Sequence, residues 1–89
     1  MDTAIDLESK KKILDILKSY SNIKRIGGIY SIPIGYNYIV VLTIYVDGRM
    51  HTATSHKIAD EIEEMIRKEI KRIEDVIVHI EPNNQKKNK

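Results

Sequence analysis

The chain has 89 residues, of which 42% are hydrophobic and none is cysteine, so it can hold one small domain and excludes both a disulfide and a thiolate metal site. Its formal charge of +2 comes from 15 basic and 13 acidic residues, but residues 83–89 contain three lysines and no acid. The rest of the chain is therefore slightly acidic, which argues against electrostatic binding of nucleic acid.

The first predicted element is a helix over residues 6–20, because apolar side chains recur there at steps of three and four. These side chains are Ile13, Ile16, Leu17 and Tyr20. An extended segment follows at residues 23–32. Its Gly27-Gly28 pair predicts a bulge or a close approach of another backbone.

A turn and the clearest strand come next. Pro33 and Gly35 predict the turn. In residues 38–47 aliphatic and polar side chains alternate, which is typical of a strand with one buried face. We expect this strand and the preceding extended segment to form a hairpin.

A second, longer helix is predicted to run to Arg72, with Thr52 or Thr54 as its N-terminal cap. Its apolar stripe consists of Ile58, Ala59, Ile62, Met65, Ile66, Ile70 and Ile73. Glu74-Asp75 interrupt the helical pattern. A last strand is predicted at residues 76–81 and is ended by Pro82.

The predicted order is α-β-β-α-β, an α+β domain over residues 1–82 followed by a disordered basic tail at 83–89. Two helices with one apolar stripe each should pack on one face of a three-stranded sheet. The opposite face would carry a mixture of apolar and polar side chains, which predicts a contact with a second copy of the chain. Those side chains are Val41, Thr43 and Tyr45, with Ile77, His79 and Glu81.

Several function classes lack support in the sequence. The longest aliphatic run, residues 39–42, is too short to span a bilayer, and residues 1–8 do not have the pattern of a secretion signal. No histidine adjoins a plausible nucleophile, and neither a Gly-x-Ser-x-Gly elbow nor a Gly-rich phosphate loop is present. We therefore expect no membrane insertion of this segment and no enzyme activity.

Metal binding is better supported. His79 and Glu81 are two residues apart on a strand, so their side chains should share one face about 6–7 Å apart. Imidazole and carboxylate ligands suit zinc, with His56 as a third ligand and water or a second subunit completing the coordination. The competing interpretation is a solvated histidine and acid, since so short a pair often occurs by chance. Asp60 is interpreted as a solvated acid or as a partner that orients a ligand.

Two segments resemble the C-terminal cytoplasmic domain of cation diffusion facilitator metal transporters. In that family a histidine opens the second helix and is followed by Ile-Ala-Asp/Glu, as in residues 56–60 here. A Val-x-Val-His-x-Glu-Pro strand ends the family's domain, as in residues 76–82. The resemblance extends over most of the chain, from Ile13 to Pro82.

The resemblance implies a ferredoxin-like domain that forms a V-shaped homodimer. It would be covalently continuous with a transmembrane transport domain and lie on the cytoplasmic side of the cell membrane or of an internal membrane. His56, His79 and Glu81 fall on the family's metal-ligand positions. A divalent ion, zinc first and manganese or iron as alternatives, would bind at or near the dimer interface and favour a closed, transport-competent arrangement. Zinc-handling relatives have further histidines at the positions of Gly27 and Thr43.

Two other functions remain open at this point. One is a purely structural dimerisation domain of the same fold that binds no metal. The other is an unrelated ferredoxin-like adaptor for a small ligand or for RNA, in which Tyr30 and Tyr45 would stack bases. The slightly acidic body of the chain disfavours RNA.

Overall fold

The computed structural model describes residues 5–83 and has the predicted α-β-β-α-β order. The elements are α1 (Leu7–Lys18), β1 (Ile23–Ile34), β2 (Asn37–Val46), α2 (Thr52–Glu69) and β3 (Ile73–Pro82). Neither helix in this part of the chain is long and apolar enough to cross a membrane.

The three strands form one sheet in the order β1-β2-β3. β1 and β2 are antiparallel, which confirms the predicted hairpin, whereas β2 and β3 are parallel and α2 makes the crossover between them. Pro33 was predicted in the turn, but it lies within β1 and pairs with Tyr38. An edge strand tolerates proline because one row of its backbone groups has no strand partner. Gly35, with φ of +60°, forms the turn instead.

The Gly27-Gly28 pair produces the predicted irregularity, since the β1–β2 register shifts between Ile26 and Ile29. A Cβ at Gly27 would lie 3.0 Å from the Thr43 Cβ and 3.1 Å from the Tyr45 ring. A side chain at position 27 would therefore be crowded by Thr43 and Tyr45 of the neighbouring strand, and glycine avoids this crowding.

The core lies between the sheet and the two helices. Every second residue of β2 from Val40 to Val46 is buried, and these side chains meet the buried stripes of both helices. The helix residues of this core are Ile13 and Leu17 from α1 and Ile58, Ala59, Ile62 and Ile66 from α2. Because both helices cover one face, the side chains that alternate with the buried ones lie on the other, which we call the outer face.

The boundaries of α2 and β3 differ from the prediction. His51 rather than a threonine is the N-cap residue of α2, and its side chain makes no capping bond. The helix ends at Glu69 because Ile70 is already extended and Arg72 has φ of +68°, a left-handed conformation that no helix continues through. Ile73 thus starts β3 instead of closing the helix stripe.

The predicted tail begins at residue 83. The Asn83 backbone N–H donates to the Val46 carbonyl at 2.7 Å, and residues 84–89 lie outside the described part of the chain.

Candidate metal site

The predicted ligands lie on β3 and on the first half of α2. Val76 is buried and Val78 and Ile80 pack against the core, so His79 and Glu81 both belong to the outer face of the sheet. Both are exposed. His79 is level with Thr43 of β2, and Glu81 with Tyr45.

A depression between α2 and β3 brings two of these ligands together. His56 and His79 both line it, because β3 is the edge strand and a side chain at its margin can be reached from the helix side. Asp60 and Glu63 of α2 line the same depression, whereas Glu81 does not. The structure therefore groups two imidazoles with two carboxylates and leaves Glu81 on the outer face.

The α2 side chains in this depression share one face of the helix. His56, Asp60 and Glu63 are related by steps of four and three residues, which places them in line. Glu63 was not among the predicted site residues, and its spacing to His56 was the signal that could have identified it. Ser55, which also lines the depression, has its hydroxyl bonded to the Thr52 carbonyl at 3.0 Å.

The electrostatics of the depression favour a cation. Partial burial raises the pKa of Glu63, and the negative charge of Asp60 raises it further, while Arg67 acts in the opposite direction. A divalent cation beside these carboxylates would relieve their repulsion. Imidazole nitrogen and carboxylate oxygen are donors that fit zinc, manganese or iron.

The ligand side chains are near one another without forming a complete coordination site. In residues 5–83 no three His, Asp or Glu side chains are placed closely enough to hold one metal ion. Binding within this depression would therefore require side-chain rotation or a further ligand.

Two more positions lie beside His79 on the outer face. Thr43 is level with His79 across β2 and β3, and Gly27 of β1 approaches Thr43 from the other side. The three residues form a row across the sheet, but only His79 offers a nitrogen ligand. His51 is exposed at the N-cap of α2 and is outside the lining of the depression.

The row of residues that contains Glu81 includes a fixed cation. The Arg25 guanidinium lies 3.8 Å from the centre of the Tyr45 ring, and Tyr45 is level with both Arg25 and Glu81. This cation–π contact covers one face of Tyr45. It makes that ring a poor platform for the base stacking considered above.

The outer face also carries an apolar band across all three strands. Tyr30, Val41 and Ile77 are level with one another, and Tyr30 and Ile77 are 66% and 42% exposed. Ile32 and Ile39 form the next row towards the turn. Such a continuous apolar surface is typical of a contact between protein chains.

Comparisons of this chain with protein families and with solved structures agree with each other. A family described as the cytoplasmic domain of cation efflux proteins matches residues 5–83. Among solved structures, the metal-bound C-terminal domain of the CzcD transporter from Thermotoga maritima superposes with a TM-score of 0.82 at 27% identity, over 90% of this chain and 94% of that one. The cytosolic domain of a cation diffusion facilitator family protein gives 0.80 at 27% identity, over 86% and 92%.

A third solved structure, of the zinc form of the zinc transporter CzrB, shares the fold. Its TM-score is 0.81 at 18% identity, over 99% of this chain and 100% of that one. No match was found among curated proteins.

Proposed function

Because this chain belongs to the family of cation efflux protein cytoplasmic domains, matched over residues 5–83, we propose that it binds a divalent metal ion through His56 and His79. The observation that carries this proposal is that these two histidines line one depression together with Asp60 and Glu63. The similarity to a CzcD domain described as metal-bound supports it.

A carboxylate is proposed as the third protein ligand. The resemblance implies Glu81 as a ligand, which would place the ion at the outer face, whereas Asp60 would keep it on the α2 side. We favour Glu81, because an ion between His79 and Glu81 also lies beside the apolar band. Glu81 is outside the lining of the depression, so this ion would need the His56 side chain to turn towards the margin of β3. Zinc is proposed first, with manganese and iron as alternatives, since all three accept this donor set.

The proposed role of the metal is regulatory. We propose that two copies associate through the apolar band of their outer faces and that the metal draws the two domains together. A ligand shifts such an equilibrium only by its difference in affinity for the two arrangements. The metal must therefore bind better to the closed dimer, which would be the transport-competent form of the parent transporter.

We expect weak binding. Neither Gly27 nor Thr43 adds a ligand to the row that contains His79, so part of the cost of dehydrating the ion is not offset. A dissociation constant of about micromolar or weaker follows, equivalent to about −8 kcal/mol or less favourable.

Calorimetric titration with zinc tests the proposed ligands. We expect the unmodified chain to bind zinc and His79→Ala and His56→Ala to lose most of the binding heat. His51→Ala is the matched control, because His51 is an exposed histidine outside the depression, and it should bind like the unmodified chain. Glu81→Gln and Asp60→Asn then identify the carboxylate. Equal heats from the His79, His56 and His51 variants would contradict the proposal.

A purely structural dimerisation domain is the second candidate. It is favoured by the lack, among the described residues, of three side chains placed to hold one ion. This candidate predicts no zinc-dependent heat from any of the histidines, so the same titration separates it from the first. Because the chain belongs to this family, the third interpretation, an unrelated adaptor, no longer applies.

A further inference from the structure

The topology gathers three chain segments at one end of the molecule, which we call the hairpin end: residues 5–12, 32–38 and 68–74. The Arg72 carbonyl accepts from the Tyr38 backbone N–H at 2.8 Å, and the Ile5 N–H donates to the Ser31 hydroxyl at 3.0 Å. A depression joins the three segments, and its lining includes three basic residues, Lys12, Lys71 and Arg72, and three acidic ones, Asp6, Glu8 and Glu69. The candidate metal site lies at the other half of α2 and β3.

The hairpin end carries the most exposed large apolar side chains of the described residues. Leu7 in the first turn of α1 is 82% exposed, and Tyr36 in the β-turn is 77% exposed. Ile34 beside the turn is also exposed. Removing such apolar side chains from water is favourable. Their concentration at one end of the molecule therefore indicates that this end contacts an apolar environment.

Arg72 holds Tyr36 in this exposed position. Its Nε donates to the Tyr36 carbonyl at 3.0 Å, and its guanidinium lies 4.3 Å from the centre of the Tyr36 ring. Arg72 does this from a left-handed conformation, which is unfavourable for a residue other than glycine. The turn is thus fixed with its aromatic ring pointing into solvent.

Basic residues outnumber acidic ones in the three segments that carry these apolar side chains. The hairpin end holds six basic and four acidic residues, whereas the rest of residues 5–83 holds six basic and eight acidic ones. Two of the four acids already have partners, since Asp6 caps α1 and Glu74 accepts from the Asn37 amide at 3.0 Å. The molecule is therefore polarised, with its positive end coinciding with its most exposed apolar side chains.

We propose that the hairpin end docks on an anionic lipid bilayer, with Tyr36 and Leu7 entering the headgroup region and Lys71 and Arg72 facing lipid phosphates. Tyrosine has an apolar ring and a polar hydroxyl, which suits the membrane–water interface. Basic side chains are attracted to the negative potential of a leaflet that contains anionic lipid. The matched family is described as the cytoplasmic domain of cation efflux proteins, and efflux takes place across a membrane. The proposal does not depend on the metal site.

Vesicle sedimentation of the full chain tests the docking. Vesicles of phosphatidylcholine with about a quarter phosphatidylglycerol should bind the chain at low salt, and vesicles of phosphatidylcholine alone should bind it much more weakly. We expect Lys71→Gln to weaken binding about fivefold, and the pair Leu7→Ser with Tyr36→Ser to weaken it at least as much.

Two controls separate the hairpin end from other sources of attraction. Met65→Ser with Lys24→Gln changes an exposed methionine of α2 and an exposed lysine of β1, both outside the hairpin end and the apolar band, and it should leave binding unchanged. Neutralising Lys86, Lys87 and Lys89 with glutamine removes the basic residues beyond position 83 and should leave the effect of the hairpin-end variants intact. The circular dichroism of each variant shows whether it is folded.

Three results would overturn the docking proposal. One is no sedimentation with anionic vesicles at low salt. Another is binding that disappears when the three C-terminal lysines are neutralised. The third is binding of the folded hairpin-end variants that equals binding of the control variant, which would show that the hairpin end does not contact the lipid surface.

Discussion

At the residue scale, Thr43 is the position where one side chain most directly limits metal binding. It is level with His79 on the adjacent strand, and directly opposed side chains on neighbouring strands are close enough to share an ion. Its hydroxyl is a weak ligand for zinc compared with imidazole. The row that contains His79 therefore offers one strong donor where two could fit.

Thr43→His should strengthen zinc binding at least about tenfold, because it adds a nitrogen ligand opposite His79. Val41→His is the control: it places a histidine on the same strand and face, opposite Ile77 instead of His79. Competition against a chelating dye measures both affinities. If the two variants bind zinc equally well, the ion does not use His79, and the proposed site is wrong.

The candidate site was predictable from the sequence only in part. Alternation along β3 put His79 and Glu81 on one face, and the structure has them there. What the pattern could not supply was the position of α2 relative to the sheet edge, which places His56 and His79 along one depression whose lining does not include Glu81. That arrangement depends on the strand order and on the packing of α2 against the sheet, and local sequence patterns reveal neither.

At the element scale, the N-terminus of α2 lacks a stabilising side-chain cap. His51 has the extended backbone of an N-cap residue, φ −64° and ψ 140°, but its side chain accepts no backbone N–H, and the first turn contains no acid. The first N–H groups of α2 thus lack a capping side chain. α1 differs, because the Asp6 carboxylate accepts from the Ser9 N–H at 3.3 Å.

His51→Asp should therefore raise the free energy of unfolding by about 0.5–2 kcal/mol, since aspartate caps the free N–H groups and its charge favours a helix N-terminus. Urea unfolding measures the change. His51→Ala removes the same ring without adding an acceptor and should give no such gain. Equal stability of the two variants would show that the start of α2 is already satisfied in another way.

Helix and strand periodicity predicted all five elements but placed the α2–β3 boundary too late. Ile70 and Ile73 continue the apolar spacing of the helix, so the pattern extends past its true end. The chain leaves the helix because Arg72 is held between the hairpin turn and Tyr38, a contact between segments about 36 residues apart. The parallel pairing of β3 with β2 is likewise a tertiary property.

At the scale of the whole molecule, a domain of 89 residues buries too little surface to be strongly stable alone. The structure leaves one sheet face uncovered, with the apolar band crossing all three strands. A second copy on this face would enlarge the buried core, and a metal beside it would make the association depend on ion concentration. The small size of the domain, its uncovered sheet face and the position of the proposed ligands thus all fit the proposed regulatory scheme.

The most direct test of this scheme is small-angle X-ray scattering of the chain during zinc titration, at a concentration where it is dimeric. The account predicts that zinc reduces the radius of gyration of the dimer. His51→Ala should preserve this reduction, and His79→Ala should abolish it without changing the dimer mass. A radius of gyration that zinc leaves unchanged, or that falls equally in the His79→Ala variant, would contradict the account.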